Sequence, residues 1–248
     1  MYDHVFCRAS WYDRREDAAS CAERMRQTLD GLSTGHPDLA RWYQDIEAEL
    51  MTTDRAGVAR LIELFEEGIS RGDGDHKRIN GSGHSLFVHN NLQEGKDVTM
   101  HVFAGYWQVH PRVKGHNNLN ITFPVRSTGR DDTFTMPVLL PALTAIVHAW
   151  DPDYVTLGSG ELNSRLSDLE KERNSLGTVP PGNWMTYLSG PLAATVTPPP
   201  EAIVKELPGY GRLLLATEEP FTVHDPEHVR RAMAIHEALK PARDILKD

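Results

Sequence analysis

At 248 residues, with 40% hydrophobic and 25% charged side chains, the chain has the make-up of a globular protein with enough apolar material for a sizeable core. A formal net charge of −9, from 35 acidic and 26 basic residues, argues against nucleic acid as a direct partner and fits a basic protein partner. Two cysteines make no disulfide framework, and neither a long apolar run nor a basic-then-apolar start is present, so a cytoplasmic protein without a membrane span is expected.

Tyr2–Ser10 alternates apolar and polar residues and predicts an opening strand. Asp13 precedes Glu16 by three residues, the spacing of a capping box. A helix then runs to about Leu32, with Ala18, Cys21, Ala22, Met25, Leu29 and Leu32 as its apolar stripe and Gly31 and Gly35 bracketing its end. A second helix is predicted from Pro37 to about Leu50, with Leu39, Trp42, Tyr43 and Ile46 inward. A third follows Thr53 and stops at Gly72, with Val58, Leu61, Ile62, Phe65 and Ile69 inward. The glycine-rich stretch 71–83 reads as a polar connector, and it lacks the oxygen ligands of a calcium loop.

Residues 84–125 read as a β-meander of three strands, His84–Asn90, Val98–Trp107 and Leu119–Val125, each bounded by turn-forming residues. The middle strand carries large apolar groups in both phases of its alternation, which predicts a central strand covered at least in part on both sides. Met136–Trp150 is nearly all apolar and predicts a buried helix, with Pro137 and Pro141 confining its regular part to the C-terminal two-thirds. Further strands are predicted at Asp153–Leu157, Trp184–Ser189 and Arg212–Thr217. A polar helix is predicted at Glu161–Asn174, and a last helix opens at Asp225-Pro226, with Val229, Ala232, Met233, His236 and Leu239 inward. Consecutive meander strands require antiparallel pairing, so the class is α+β: a single domain over 1–248, its antiparallel sheet centred on the meander and covered by helices.

Motifs for catalysis are sparse. His224, Glu227 and His228 match the H-x-x-E-H pattern of inverted zinc peptidases and define the alternative reading, a zinc-dependent hydrolase. Pro226 opposes it, because a helix that starts between the two histidines cannot present both on one face. His84, His89, His101, His110 and His116 crowd the meander, and His89 and His101 are candidates to meet across a hairpin, but the strands supply no Asp, Glu or Cys to complete a metal set. Gly158-Ser159-Gly160 lacks the third glycine of a dinucleotide site and the Lys-Ser/Thr pair of a P-loop. No cofactor, no metal and no enzymatic activity are expected.

Charge is unevenly distributed. Between Asp45 and Asp75 stand nine acidic residues and three arginines, −6 of the chain's −9. The inward stripe of the third helix leaves Glu63, Glu66 and Glu67 off its buried side. With Glu47, Glu49, Asp73 and Asp75 they make the candidate partner-binding surface, one suited to capturing a basic protein and speeding the encounter.

Three segments carry a resemblance to a known family. They are Trp11, Arg15, Glu16, Cys21, Ala22, Arg24, Leu29 and Leu32 with Pro37 and Trp42; GNWMTYLS at 182–189; and the run from Gly211 to Phe221. Together they resemble the immunity protein 52 family of bacterial polymorphic toxin systems. The resemblance implies a non-enzymatic cytoplasmic antitoxin that binds a cognate effector toxin, often a nuclease delivered by type VI secretion. It also implies that Trp11, Glu16, Cys21, Trp184 and Tyr187 determine the fold rather than contact the toxin. A nuclease must be basic where it holds nucleic acid, so an acidic inhibitor suits it. A homodimer is compatible with all of this.

Overall fold

The computed structural model describes residues 4–44, 49–69, 83–90, 97–107, 116–124, 135–172 and 181–247. The fold is α+β. Ten described strands form one sheet: β1 (Val5–Tyr12), β2 (Tyr43–Gln44), β3 (Glu49–Leu50), β4 (His84–His89), β5 (Thr99–Ala104), β6 (His116–Thr122), β7 (Tyr154–Ser159), β8 (Met185–Ser189), β9 (Ile203–Leu207) and β10 (Gly211–Leu215). Their spatial order is β3-β2-β4-β5-β6-β1-β7-β8-β10-β9, and each described pairing is antiparallel. The N-terminal strand thus lies between the meander β4-β5-β6 and the C-terminal strands.

The inner face is a continuous apolar surface. One cross-strand row runs Val88, Met100, Ile121, Cys7, Leu157, Met185, Leu215, each fully buried. The next row runs Leu86, Val102, Leu119, Ala9, Val155, Tyr187, Leu213. Alternation puts every second side chain on this face, and apolar residues hold that phase through all seven strands. Helices α1 (Ala18–Gly35), α2 (Arg55–Glu67) and α3 (Met136–Trp150) lie over it. The α1 stripe, Ala18, Cys21, Ala22, Met25, Leu29 and Leu32, is buried as its spacing predicts.

The opposite face is covered over part of its width. One row runs from Phe87, 49% exposed, through His101, Asn120 and Arg8 to Thr156, Thr186 and Leu214, which are buried. On the buried side, Pro181 O accepts a hydrogen bond from Thr156 Oγ1 (3.3 Å), and Asn183 donates to Ser159 O (3.1 Å). Helices α4 (Gly160–Glu172), α6 (Pro226–Ala238) and α7 (Lys240–Lys247) supply the buried residues Leu162, Leu166, Ala232, Ile235 and Ala242, and Leu239, between α6 and α7, is buried with them. The middle meander strand is therefore fully buried on one face and only half-buried on the other, at Thr99, His101 and Phe103.

Several local expectations give way to tertiary contacts. The predicted helix 37–50 is a single 3-10 turn, Pro37–Leu39, followed by the short strands β2 and β3. That turn buries Leu39 and Trp42, with Trp42 Nε1 bonded to Leu39 O at 2.8 Å, so three-residue apolar spacing is satisfied without a longer helix. Asp13 does not cap α1. It sits at φ +44°, and Asp17 accepts from Ser20 N at 2.8 Å instead. Glu16 is drawn away from the cap by Arg24, whose Nε donates to it, and by Arg14 Nε at 3.4 Å. The same guanidiniums donate to the carbonyls of Ala149, Trp150 and Asp151 at the end of α3, where the helix leaves acceptors unpaired.

Gly31 lies inside α1 rather than at its end, since a Cβ there would stand 2.5 Å from that of Ala145 in α3. Helix α3 begins at Met136 with Pro141 inside it, so the prolines shorten it less than expected. The inner stripe of α6 is His228, Ala232, Ile235 and His236, with Val229 and Met233 only half-buried. Strand β9, the short helix α5 (Gly190–Ala193) and α7 have no counterpart in the sequence reading.

Candidate partner-binding site

The acidic layer is built on α2. Asp54 caps it by accepting from Gly57 N at 2.8 Å, and Leu61, Leu64 and Phe65 turn inward, where Phe65 meets the His84 ring edge-on. Helical periodicity then leaves Glu63, Glu66 and Glu67 exposed, as the sequence predicts. Glu49, on β3, joins them from a separate element. Glu47, Asp73 and Asp75 lie outside the described residues.

What the sequence does not show is that Arg60 organises these carboxylates. Its Nε lies 3.1 Å from Glu49 Oε1, and its Nη1 lies 3.1 Å from Glu63 Oε2 and 3.3 Å from Glu67 Oε1. Hydrogen bonds donated to these carboxylates, Glu49 foremost, raise the Arg60 pKa above its ordinary value. One cation thus holds three exposed carboxylates in a fixed array and leaves the patch net negative. Exposed ion pairs of this kind contribute little stability, on the order of 0–1 kcal/mol each, so the array matters for surface potential more than for folding.

Beside this array is a groove of about 330 Å³ lined by Gln44, Leu64, Glu67, Gly68, Ser85, Leu86 and Phe87. It wraps the edge of β4 where α2 ends. Ser85 N donates to Gly68 O at 3.0 Å, and a Cβ on Gly68 would collide with Ser85 O at 1.9 Å, so only glycine lets helix and strand approach this closely. Phe87 is among the most exposed large apolar residues, and its ring begins a run of contacts on the open sheet face: Phe87–His101 at 6.0 Å, His101–Phe103 at 4.1 Å and Phe103–Tyr106 at 6.4 Å between centroids. Phe87 is not among the residues that charge and motif single out; its one signal in the sequence is its place in the polar phase of its strand, between Ser85 and His89.

The described meander histidines do not converge, and His110 lies outside the described residues. Phe87, not His89, is opposite His101, and His89 lies against Tyr43. His84 is buried, with Nδ1 2.8 Å from Phe65 O, and His116 stacks on Tyr12. Nor do the hydrolase candidates form a centre. Asp225 is the N-cap of α6, so His224 precedes the helix that carries His228. Glu227 is bonded by Arg230 and Arg231, which hold its pKa down at about 2. His228 is buried against Phe221 and accepts from Thr222 N through Nδ1 at 3.3 Å. Among the described residues no group of three or more His, Cys, Asp or Glu side chains is placed to hold a metal, and no helix is long and apolar enough to cross a membrane. Ser159 in the Gly-Ser-Gly step is buried and bonds the α4 backbone, accepting from Leu162 N at 3.0 Å.

The residues expected to determine the fold are interior. Trp11, Glu16, Cys21, Trp184 and Tyr187 are all buried. Trp184 Nε1 donates to Thr217 O at 2.9 Å, and its ring lies 6.4 Å from that of Phe221.

A family model described as Immunity protein 52 matches residues 3–247. Among solved structures, Pseudomonas aeruginosa T6SS protein PA0821 superposes with a TM-score of 0.58 at 13% identity, covering 98% of this chain and 77% of that one, a likeness of fold. No curated protein matches significantly in sequence.

Proposed function

The chain belongs to the immunity protein 52 family, and on that premise we propose that it is a cytoplasmic antitoxin that neutralises a cognate effector toxin by forming a protein–protein complex with it, without enzymatic activity of its own. The observation that carries this reading is the family match over residues 3–247. The toxin is a nuclease delivered by type VI secretion, a reading supported by the negative array on Glu49, Glu63, Glu66 and Glu67, which complements the basic surface a nuclease needs to hold its substrate. The fold likeness to a type VI secretion protein is in keeping with it. The single sheet running through the described residues supports reading 1–248 as one domain.

The complex would bury about 800 Å² on each partner, the size of a standard interface. Co-expression with the toxin encoded beside its gene tests the proposal. Protection of the cells, with a complex that survives gel filtration, is the expected result; continued killing with no complex on the column overturns it.

A further inference from the structure

We propose that the groove between α2 and β4 is the receptor for an arginine side chain presented by the partner protein. The inference rests on the antitoxin reading for the identity of that partner, but not for the chemistry of the groove.

The lining defines the occupant. Leu64 and Leu86 give an aliphatic floor, Phe87 gives an aromatic wall, and Glu67 gives a carboxylate at the rim. Gln44 and Ser85 add neutral hydrogen-bonding groups, and among the described residues no cationic side chain lines the groove. Such a lining suits a side chain with an apolar stem and a cationic head. At about 330 Å³ the groove is at the small end of ligand sites, so it matches one long side chain rather than a larger molecule.

Arginine fits it better than lysine for two reasons. A planar guanidinium stacks on an aromatic ring such as that of Phe87, and its fork of N–H donors matches a carboxylate such as that of Glu67, both of which line the groove where it wraps the strand edge. Arg60 engages Glu67 through Oε1, at 3.3 Å, and holds that carboxylate at the rim. Phe87 is 49% exposed, a large apolar surface for a residue in a sheet, and capping its ring removes that surface from water. Charge complementarity is local as well as global: Glu49, Glu63 and Glu67 surround Arg60, Glu66 adds an exposed carboxylate on the same helix, and the excess of carboxylates attracts a basic surface to this edge.

The test has two arms. In the first, isotope-labelled protein is titrated with N-acetyl-arginine methylamide and, separately, with the neutral citrulline analogue, following the methyl signals of Leu64 and Leu86. Saturable shifts with the arginine compound, absent with citrulline and lost in Phe87→Ala and Glu67→Gln, are expected. Equal shifts with citrulline, or shifts that survive both substitutions, overturn the proposal.

In the second arm the same variants are measured against the toxin of the co-expression experiment, with Glu23→Gln as a remote control. A loss of affinity of about tenfold or more in Phe87→Ala and Glu67→Gln is expected. A complex of unchanged affinity overturns the groove inference and leaves the antitoxin reading standing. Failure to form any complex overturns the antitoxin reading, and the first arm then decides the groove alone. Sedimentation of the unbound protein covers the remaining occupant: a dimer abolished by Phe87→Ala assigns the groove to a second copy and overturns the proposal.

Discussion

Trp11 and Trp150 stack at the centre of the inner face, with ring centroids 5.1 Å apart and 28° between their planes. Trp150 Nε1 also donates to Thr28 Oγ1 at 2.8 Å, so one indole ties β1, α1 and α3 together. Both rings are buried, and neither strand nor helix could shift without exposing them. Trp150→Ala should cost about 3–5 kcal/mol through lost burial and the cavity left behind. Thr28→Val, which keeps the shape and removes the hydroxyl that accepts from Trp150 and donates to Arg24 O at 2.9 Å, should cost about 1–3 kcal/mol. Chemical denaturation of both variants checks the ordering; equal losses would show that the hydrogen bond, not the packing, holds this junction.

Tyr187 makes a contrasting prediction. Its ring is fully buried in the inner row, yet its hydroxyl has no hydrogen-bond partner among the described residues, and burial pushes its pKa up. Removing a buried, unpaired hydroxyl relieves a desolvation penalty. Tyr187→Phe should therefore leave the melting temperature unchanged or raise it, by the equivalent of up to about 1 kcal/mol. A clear drop in scanning calorimetry would mean the hydroxyl is engaged.

Cys7 and Cys21 are both free thiols in the core, Cys7 in the sheet and Cys21 on the α1 stripe. Burial raises both pKa values, Cys21 up to about 12 and Cys7 further, so neither forms a thiolate near neutral pH. The native protein should resist an aromatic disulfide reagent and release two thiols per chain once unfolded in denaturant. Rapid labelling under native conditions would contradict the packing described.

His101 and His116 predict how stability varies with pH. Desolvation lowers both pKa values in the folded state, and Arg8 adds to the effect at His116. The folded state thus favours neutral rings, while the unfolded chain protonates them at about pH 6.5. The contribution is complete above that pH and is lost as the pH falls through and below it. Melting temperatures at pH 7.5 and 5.5 should differ, and the difference should shrink in a His101→Asn, His116→Asn double variant. Carboxylates with lowered pKa, such as Glu23 and Glu227 at about 2, lose their contribution only in stronger acid.

The acidic array predicts kinetics. Charge reversal at Glu63, Glu66 and Glu67 should slow association with the toxin and weaken its dependence on salt, with a smaller change in dissociation. Stopped-flow association at two ionic strengths measures both. An unchanged rate and salt slope would remove α2 from the encounter surface.

Periodicity in the chain alone specifies the elements whose burial follows from their own spacing. The α1 stripe, α2, α3, the three meander strands and the antiparallel α+β class were legible because each element hides its own apolar side chains at its own spacing. The negative charge around α2 was legible for the same reason, since exposed positions are those the stripe leaves over. Tertiary structure decided the rest, because the interactions join residues far apart in the chain. Glu16 has the spacing of a capping partner, yet it is the anion between Arg14 and Arg24 at the end of α3, where a nearby pair of guanidiniums outcompetes one backbone N–H. Residues 37–39 form one turn because Trp42 docks into the core after a single turn. Arg60 could be counted in the sequence, but only folding brings Glu49 from another element to it. The groove at Phe87 exists because Gly68 lets α2 end directly against β4, a juxtaposition that no periodicity encodes.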